Sequence, residues 1–221
     1  MTVRHPFERI LSAYRDKFFV LSDSGNEKNK AAKFYKMYGK HIISNYRRQN
    51  DTLAKEHRWS ILKNFIYPFT CLTFSFRHQK VPTFPEFVDY VLNTDVEEYN
   101  EHWVPYYLLC TPCHLNYTII AKTETIADDS RYILDVLKQH GVGQSQAQKD
   151  TLTRIHQTGK RSTSTTSRDF YSQLNKEQVK GLYDKYEIDM EMYDYVIEPY
   201  LSYAVNTLPP KYAPKLAINP A

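Results

Sequence analysis

Arg4, His5, Pro6, Arg9 and Ser12 stand close together near the start of the sequence, in Val3-Arg4-His5-Pro6-Phe7-Glu8-Arg9-Ile10-Leu11-Ser12-Ala13-Tyr14-Arg15-Asp16-Lys17-Phe18. Guanidiniums and a hydroxyl at helical spacing are suited to an anion, through charge-assisted hydrogen bonds. Pro6 suits the first helical position, where its missing N–H has no intrahelical partner anyway. Free backbone N–H groups at that helix start, with Arg4 just before and Ser12 two turns in, would make an anion cradle. Phe7, Ile10, Leu11, Tyr14 and Phe18 recur at helical spacing and mark one buried face. Spacing alone favours the simpler reading, an amphipathic helix with a proline start and solvated arginines.

Other residues carry chemistry further along. Lys160, Arg161 and Arg168 fall in a Gln/Ser/Thr-rich stretch, 141–168. It reads as a mobile loop, or as a loop that orders on an anion. His102, just before Trp103, is the histidine to consider as base or acceptor contact; a structural hydrogen-bonding role competes with that. Residues 28–49 read as a basic helix that includes Lys40, Arg47 and Arg48. Such a run is a solvated face or a wall that meets an acidic polysaccharide. Lys122 and Glu124, at a strand end, serve a site or pair with each other. Asn50 and Asn116 each begin an N-glycosylation sequon. Cys110-Thr111-Pro112-Cys113 lacks the second half of a zinc site, and with Cys71 it favours structural or disulfide use over metal or redox chemistry. No metal site is expected.

The elements that must position these residues follow from pattern. A chain of 221 residues can bury a core as one domain, and 24% charged against 42% hydrophobic residues describe a globular one. The net charge of +4 suits anionic ligands without excluding other partners. No apolar run is long enough to span a membrane, and no signal peptide opens the sequence. Residues 1–5 read as a strand end and 6–20 as a helix. Residues 22–26 read as a loop, and 59–80 form an aromatic-rich stretch. Thr83 caps a helix through 92, with Glu86 completing a capping box. Residues 117–122 read as a buried strand, and 126–140 as a helix stopped by Gly141. A tyrosine-rich helix over 175–195 closes a domain of 1–205, and 206–221 is a tail.

The opening string resembles the 3′-phosphate-binding segment of the Golgi carbohydrate sulfotransferases, which use 3′-phosphoadenosine 5′-phosphosulfate (PAPS). Further blocks keep the family's order. They are Tyr38-Gly39-Lys40-His41-Ile42-Ile43, Phe84-Pro85-Glu86-Phe87-Val88-Asp89-Tyr90, Glu101-His102-Trp103 with Leu109-Cys110-Thr111-Pro112-Cys113, and Tyr117 through Thr125. Phe170-Tyr171-Ser172-Gln173-Leu174 and Leu182 through Asp189 resemble its closing helix. The set is similar to the chondroitin and dermatan 4-O-sulfotransferase branch. Thr118 and Ala121 depart from its usual aspartate and glycine.

The resemblance implies an α/β, P-loop-NTPase-like fold, a parallel sheet flanked by helices. The family's first strand and 5′-phosphosulfate loop lie upstream of the motif with which this sequence opens, so an N-terminally truncated domain is expected. It implies sulfuryl transfer from PAPS, without a metal, to a hydroxyl of a glycosaminoglycan or related glycan, N-acetylgalactosamine 4-O first among them. Arg4, His5, Pro6, Arg9 and Ser12 would hold the nucleotide, with Lys160, Arg161 and Arg168 closing over it. His102 would act on the acceptor, and Lys40, Arg47, Arg48, Lys122 and Glu124 would contact it. The implied setting is the Golgi lumen, with membrane attachment through an anchor absent from this sequence. A catalytically incomplete glycan- or nucleotide-binding remnant is the alternative. No nucleic-acid-reading motif is visible, so no nucleic-acid partner is expected.

Overall fold

Phe7, Ile10, Leu11, Tyr14 and Phe18 are all buried, so the apolar spacing of the opening helix marks the side that meets the core. The computed structural model describes residues 1–19, 32–47, 81–141 and 163–206. Expectations for the loop at 22–26, the aromatic stretch 59–80, most of the polar segment and the tail fall outside these residues. So do those for Arg48, Asn50, Cys71, Lys160 and Arg161.

Strand β1 (Thr2–Val3) leads into helix α1 (Pro6–Tyr14), which continues as a wider π-helical stretch, Arg15–Phe19. A second π-helical stretch, Tyr35–Gly39, runs into α2 (Lys40–Tyr46). Helix α3 (Phe84–Leu92) begins with the expected capping box: Glu86 N–H donates to Thr83, and Thr83 N–H donates to the Glu86 carboxylate. A short helix α4 (Tyr106–Leu109) precedes β2 (Ala121–Lys122) and α5 (Ile126–Gln139). Helices α6 (Thr163–Tyr171), α7 (Lys176–Met192) and α8 (Glu198–Tyr203) complete the described chain.

The strands pair parallel, Thr2 with Ala121 and Val3 with Lys122, so the described fold is mixed α/β with a small parallel sheet. The expected strand over 117–122 shortens to its last two residues. Ile120 is 45% exposed, so its apolar side chain is not part of a buried strand. Residues 163–168, expected within a loop, form the first turns of α6. The closing helix expected over 175–195 is α7, which ends at Met192; a turn in which Asp194 takes φ 51° then leads to α8. At the end of α5, Gly141 takes φ 72°, a conformation open to glycine at little cost.

The core lies between α1, α3, α6, α7 and α8 and is dominated by aromatic rings. Phe7 stacks on Tyr171, and Tyr14 meets Phe84, Phe87 and Phe170. Aromatic pairs at such ring separations, stacked or edge-to-face, add about 0.5–1.5 kcal/mol per pair beyond area burial. Trp103 is fully buried against Phe87 and Tyr38 and ties the 100–107 segment to the core. Helix α7 approaches α3 closely at Gly181, where a Cβ would stand 3.0 Å from Leu92.

Candidate nucleotide- and acceptor-binding site

A cavity of about 370 Å³ opens beside α1, lined by Arg4, Arg9, Ser12, Ala13, Asp16, Lys17, Glu101 and His102. The helix supplies one wall because Arg9 and Ser12 lie on its flank away from the buried face. The π-helical stretch that follows carries Asp16 and Lys17 onto the same wall. The opposite wall is the turn that bears Glu101 and His102. Three cationic side chains, two carboxylates and a hydroxyl therefore line one cavity.

Each cation has a distinct setting. The Arg4 guanidinium lies 3.5 Å from Glu8, one turn on, and Glu8 also accepts from the hydroxyls of Ser167 and Tyr200. Lys17 sits 2.6 Å from the exposed Asp16 carboxylate and 4.9 Å from the centre of the Phe34 ring. Arg9 donates to the backbone carbonyls of Val104 and Glu101, and its guanidinium lies 4.3 Å above the Tyr106 ring. Both terminal nitrogens of its guanidinium thus donate to backbone.

His102 stands at the cavity edge, its ring 5.5 Å from that of Phe34 and its Nε2 3.7 Å from Glu101. Partial burial, helped by the nearby Lys17 charge, lowers its pKa below the ordinary 6.5, while Glu101 opposes the shift. The imidazole is therefore neutral at pH 7 and able to accept a proton.

Residues 1–196 match the sequence model of the Sulfotransferase family. This chain belongs to that family. It is 30% identical to carbohydrate sulfotransferase 11 of Mus musculus over 90% of its own length and 47% of that protein's. With carbohydrate sulfotransferase 12 of Xenopus laevis it shares 29% identity over 87% of this chain and 39% of the relative. With carbohydrate sulfotransferase 8 of Mus musculus it shares 29% over 87% and 38%. The chain thus spans less than half the length of these curated relatives. No solved structure matches it.

Of the residues singled out in this sulfotransferase-family sequence, the cavity gathers Arg4, Arg9, Ser12 and His102. The expected cradle of free N–H groups at the start of α1 does not form. Phe7 N–H donates to His5 Nδ1, and His5 N–H donates to Glu124. His5 Nε2 lies 3.0 Å from the Val196 carbonyl, so its ring caps the helix among Phe7, Tyr195 and Tyr200 and does not line the cavity. Pro6 occupies the first helical position as expected.

The remaining positions lie elsewhere. Arg168 is exposed on α6, and Lys40 is exposed on α2; neither lines the cavity. Arg47 makes a two-pronged contact with the buried Glu86 and donates to the Val81 carbonyl, which fastens α2 to the start of α3. Lys122 and Glu124 do not pair with each other. The Lys122 ammonium sits 4.7 Å over the Tyr195 ring, and Glu124 accepts from Tyr195 as well as from His5. Asn116, at the start of its sequon, is exposed. Cys110 and Cys113 are unbridged. Among the described residues no cluster of His, Cys, Asp and Glu could hold a metal, and no helix is long and apolar enough to cross a membrane.

Sequence reasoning passed over Lys17 and Asp189. Lys17 stood within the opening motif, but only the π-helical stretch brings it to the cavity. Asp189 is fully buried, and its carboxylate accepts from Tyr106 N–H at 2.5 Å and Tyr107 N–H at 2.9 Å. The signal was an acidic residue on the apolar stripe of Leu182, Tyr186 and Met190, where burial demands a partner. Burial raises the Asp189 pKa, against the two N–H donors and the Arg9 charge.

Proposed function

We propose that this chain is a carbohydrate sulfotransferase that moves a sulfuryl group from PAPS to a glycan hydroxyl, with a chondroitin- or dermatan-type acceptor and the 4-O position of N-acetylgalactosamine. The observation that carries this reading is one cavity combining Arg4, Ser12 and Lys17 with a neutral His102. The names of the relatives support a carbohydrate acceptor. A P-loop-like sheet, a domain over 1–205 and a Golgi lumenal setting belong to the same reading.

The donor set fits the phosphate end of a nucleotide: cations and a hydroxyl around a cavity of about 370 Å³. PAPS would supply the activated sulfuryl group. Arg4 and Ser12 would hold its 3′-phosphate, with Lys17 adding positive charge. His102 would take the proton from the acceptor hydroxyl as that oxygen bonds to sulfur, while the bond from sulfur to the phosphate oxygen breaks. The products are a sulfate ester and 3′,5′-adenosine bisphosphate. Positioning and charge stabilisation dominate such a displacement.

Calorimetric titration of 3′,5′-adenosine bisphosphate into the wild-type chain and into Arg4→Ala tests the reading. Binding by wild type, weakened about tenfold or more in a folded Arg4→Ala variant, is the expected result. A folded wild type that binds nothing, or equal binding by both, overturns it.

A further inference from the structure

The turn that carries His102 is held from two sides by charged groups that bond to its backbone and to the start of α4. From α1, Arg9 donates to the carbonyls of Glu101 and Val104, which flank His102 and Trp103. From α7, the fully buried Asp189 accepts the first two N–H groups of α4, those of Tyr106 and Tyr107. Between them, Tyr186 donates to the Trp103 carbonyl, and Asn100 accepts the His102 N–H at 3.1 Å. Arg9 also covers the ring of Tyr106, so the two clamps meet on one residue.

A cation that satisfies carbonyls and an anion that satisfies N–H groups are chemically matched to a turn with no ladder of its own. The segment between Tyr99 and Tyr106 holds no helix or strand; Trp103 and Val104 N–H donate to the Asn100 carbonyl within it, and the Glu101, Trp103 and Val104 carbonyls take partners from other elements beside the buried tryptophan. Holding backbone on both sides of one side chain restricts where that side chain can stand. This is how supporting residues set a reacting group to within a fraction of an ångström.

We propose that Arg9 and Asp189 are positioning residues that hold His102 at the cavity edge. The inference rests on the sulfuryl-transfer reading for what His102 does, but not for where it is held. Arg9 then differs in role from Arg4, although both stand in the same motif and line the same cavity. Arg4 faces the ligand, whereas Arg9 works through the turn. The charged groups that act on the His102 ring are Lys17 and Asp16 from the π-helical stretch, Glu101 beside it and Arg9 from α1.

The test is an NMR titration of the His102 ring in the intact chain, compared among wild type, Arg9→Lys, Asp189→Asn and Arg4→Ala, with thermal melting alongside. Arg9→Lys keeps the charge and loses the fork; Asp189→Asn keeps the shape and loses an acceptor. The expected result is a His102 midpoint that moves toward 6.5 in both clamp variants as the ring loosens into solvent, and stays in place in Arg4→Ala. Nucleotide affinity should fall further in Arg4→Ala than in Arg9→Lys. Lower melting temperatures with an unmoved His102 midpoint in folded Arg9→Lys would overturn the proposal and leave Arg9 as scaffold alone. An unmoved midpoint with affinity lost as fully as in Arg4→Ala would overturn it in favour of a phosphate ligand. If Asp189→Asn does not fold, Arg9→Lys decides. Absence of nucleotide binding in wild type would sink the sulfuryl-transfer reading, while the His102 titration still judges the clamp.

Discussion

The α1–α3–α7 core and the β2–α5 arm are built from similar local signals and end up in different states. Both α1 and α5 are amphipathic, and both carry acidic residues in the first turn. Yet α1 buries Phe7, Ile10, Leu11 and Tyr14, whereas Ser130 is the only buried residue of α5 among those described. Tyr132, on α5, is 64% exposed. The difference lies in partners: α1 meets three other helices, while α5 meets β2 and the turn before it. An apolar stripe states what a helix could bury, and neighbours decide what it does bury.

Truncations should expose that difference in order. Phe87→Ala, at a ring with no exposed surface between Tyr14, Phe18 and Trp103, should cost about 3–5 kcal/mol in chemical denaturation. A cost below that of any α5 truncation would break the comparison. Arg47→Ala should cost about 2–4 kcal/mol, since the buried Glu86 loses a two-pronged partner while keeping its bond to Thr83. The same substitution should leave nucleotide binding in place, and impaired binding would return Arg47 to a ligand role.

His5 sharpens the comparison through pH. Its ring accepts from Phe7 N–H at Nδ1, and burial lowers its pKa. The unfolded chain therefore takes up the proton first as pH falls. The stability tied to neutral His5 is complete above 6.5 and is lost as pH drops below that value toward the folded pKa. His102 acts in the same direction. Melting temperature should thus fall as pH drops below 6.5, and His5→Asn, which can still cap, should flatten that slope. An unchanged slope would remove His5 from the account. The smallest effect belongs to the arm: Val136→Ala, half-buried on α5, should cost under about 1 kcal/mol.

Much of the site was legible because its parts are local. Arg9 and Ser12 share one flank of α1 and Arg4 stands just before that helix, so their spacing already brought them close together. The capping box at Thr83 and Glu86 was legible for the same reason. His102 reached the cavity by a route that spacing does not encode, across more than ninety residues, through Arg9 and Asp189. The readings of Arg47 and Glu124 as acceptor contacts differ from what the fold shows, because each found a buried partner from another element: Glu86 for one, the His5 N–H for the other.

By itself the sequence determined the helix faces, the caps and the family, since these depend on residues a few positions apart or on motifs kept in order. Only the tertiary structure decided which charges are free to meet a ligand. A guanidinium or carboxylate takes the strongest partner within reach. For Arg9, Arg47, Glu124 and Asp189 that partner comes from a distant part of the chain, and the burial of Glu86 and Asp189 makes the pairings of Arg47 and Asp189 hard to give up.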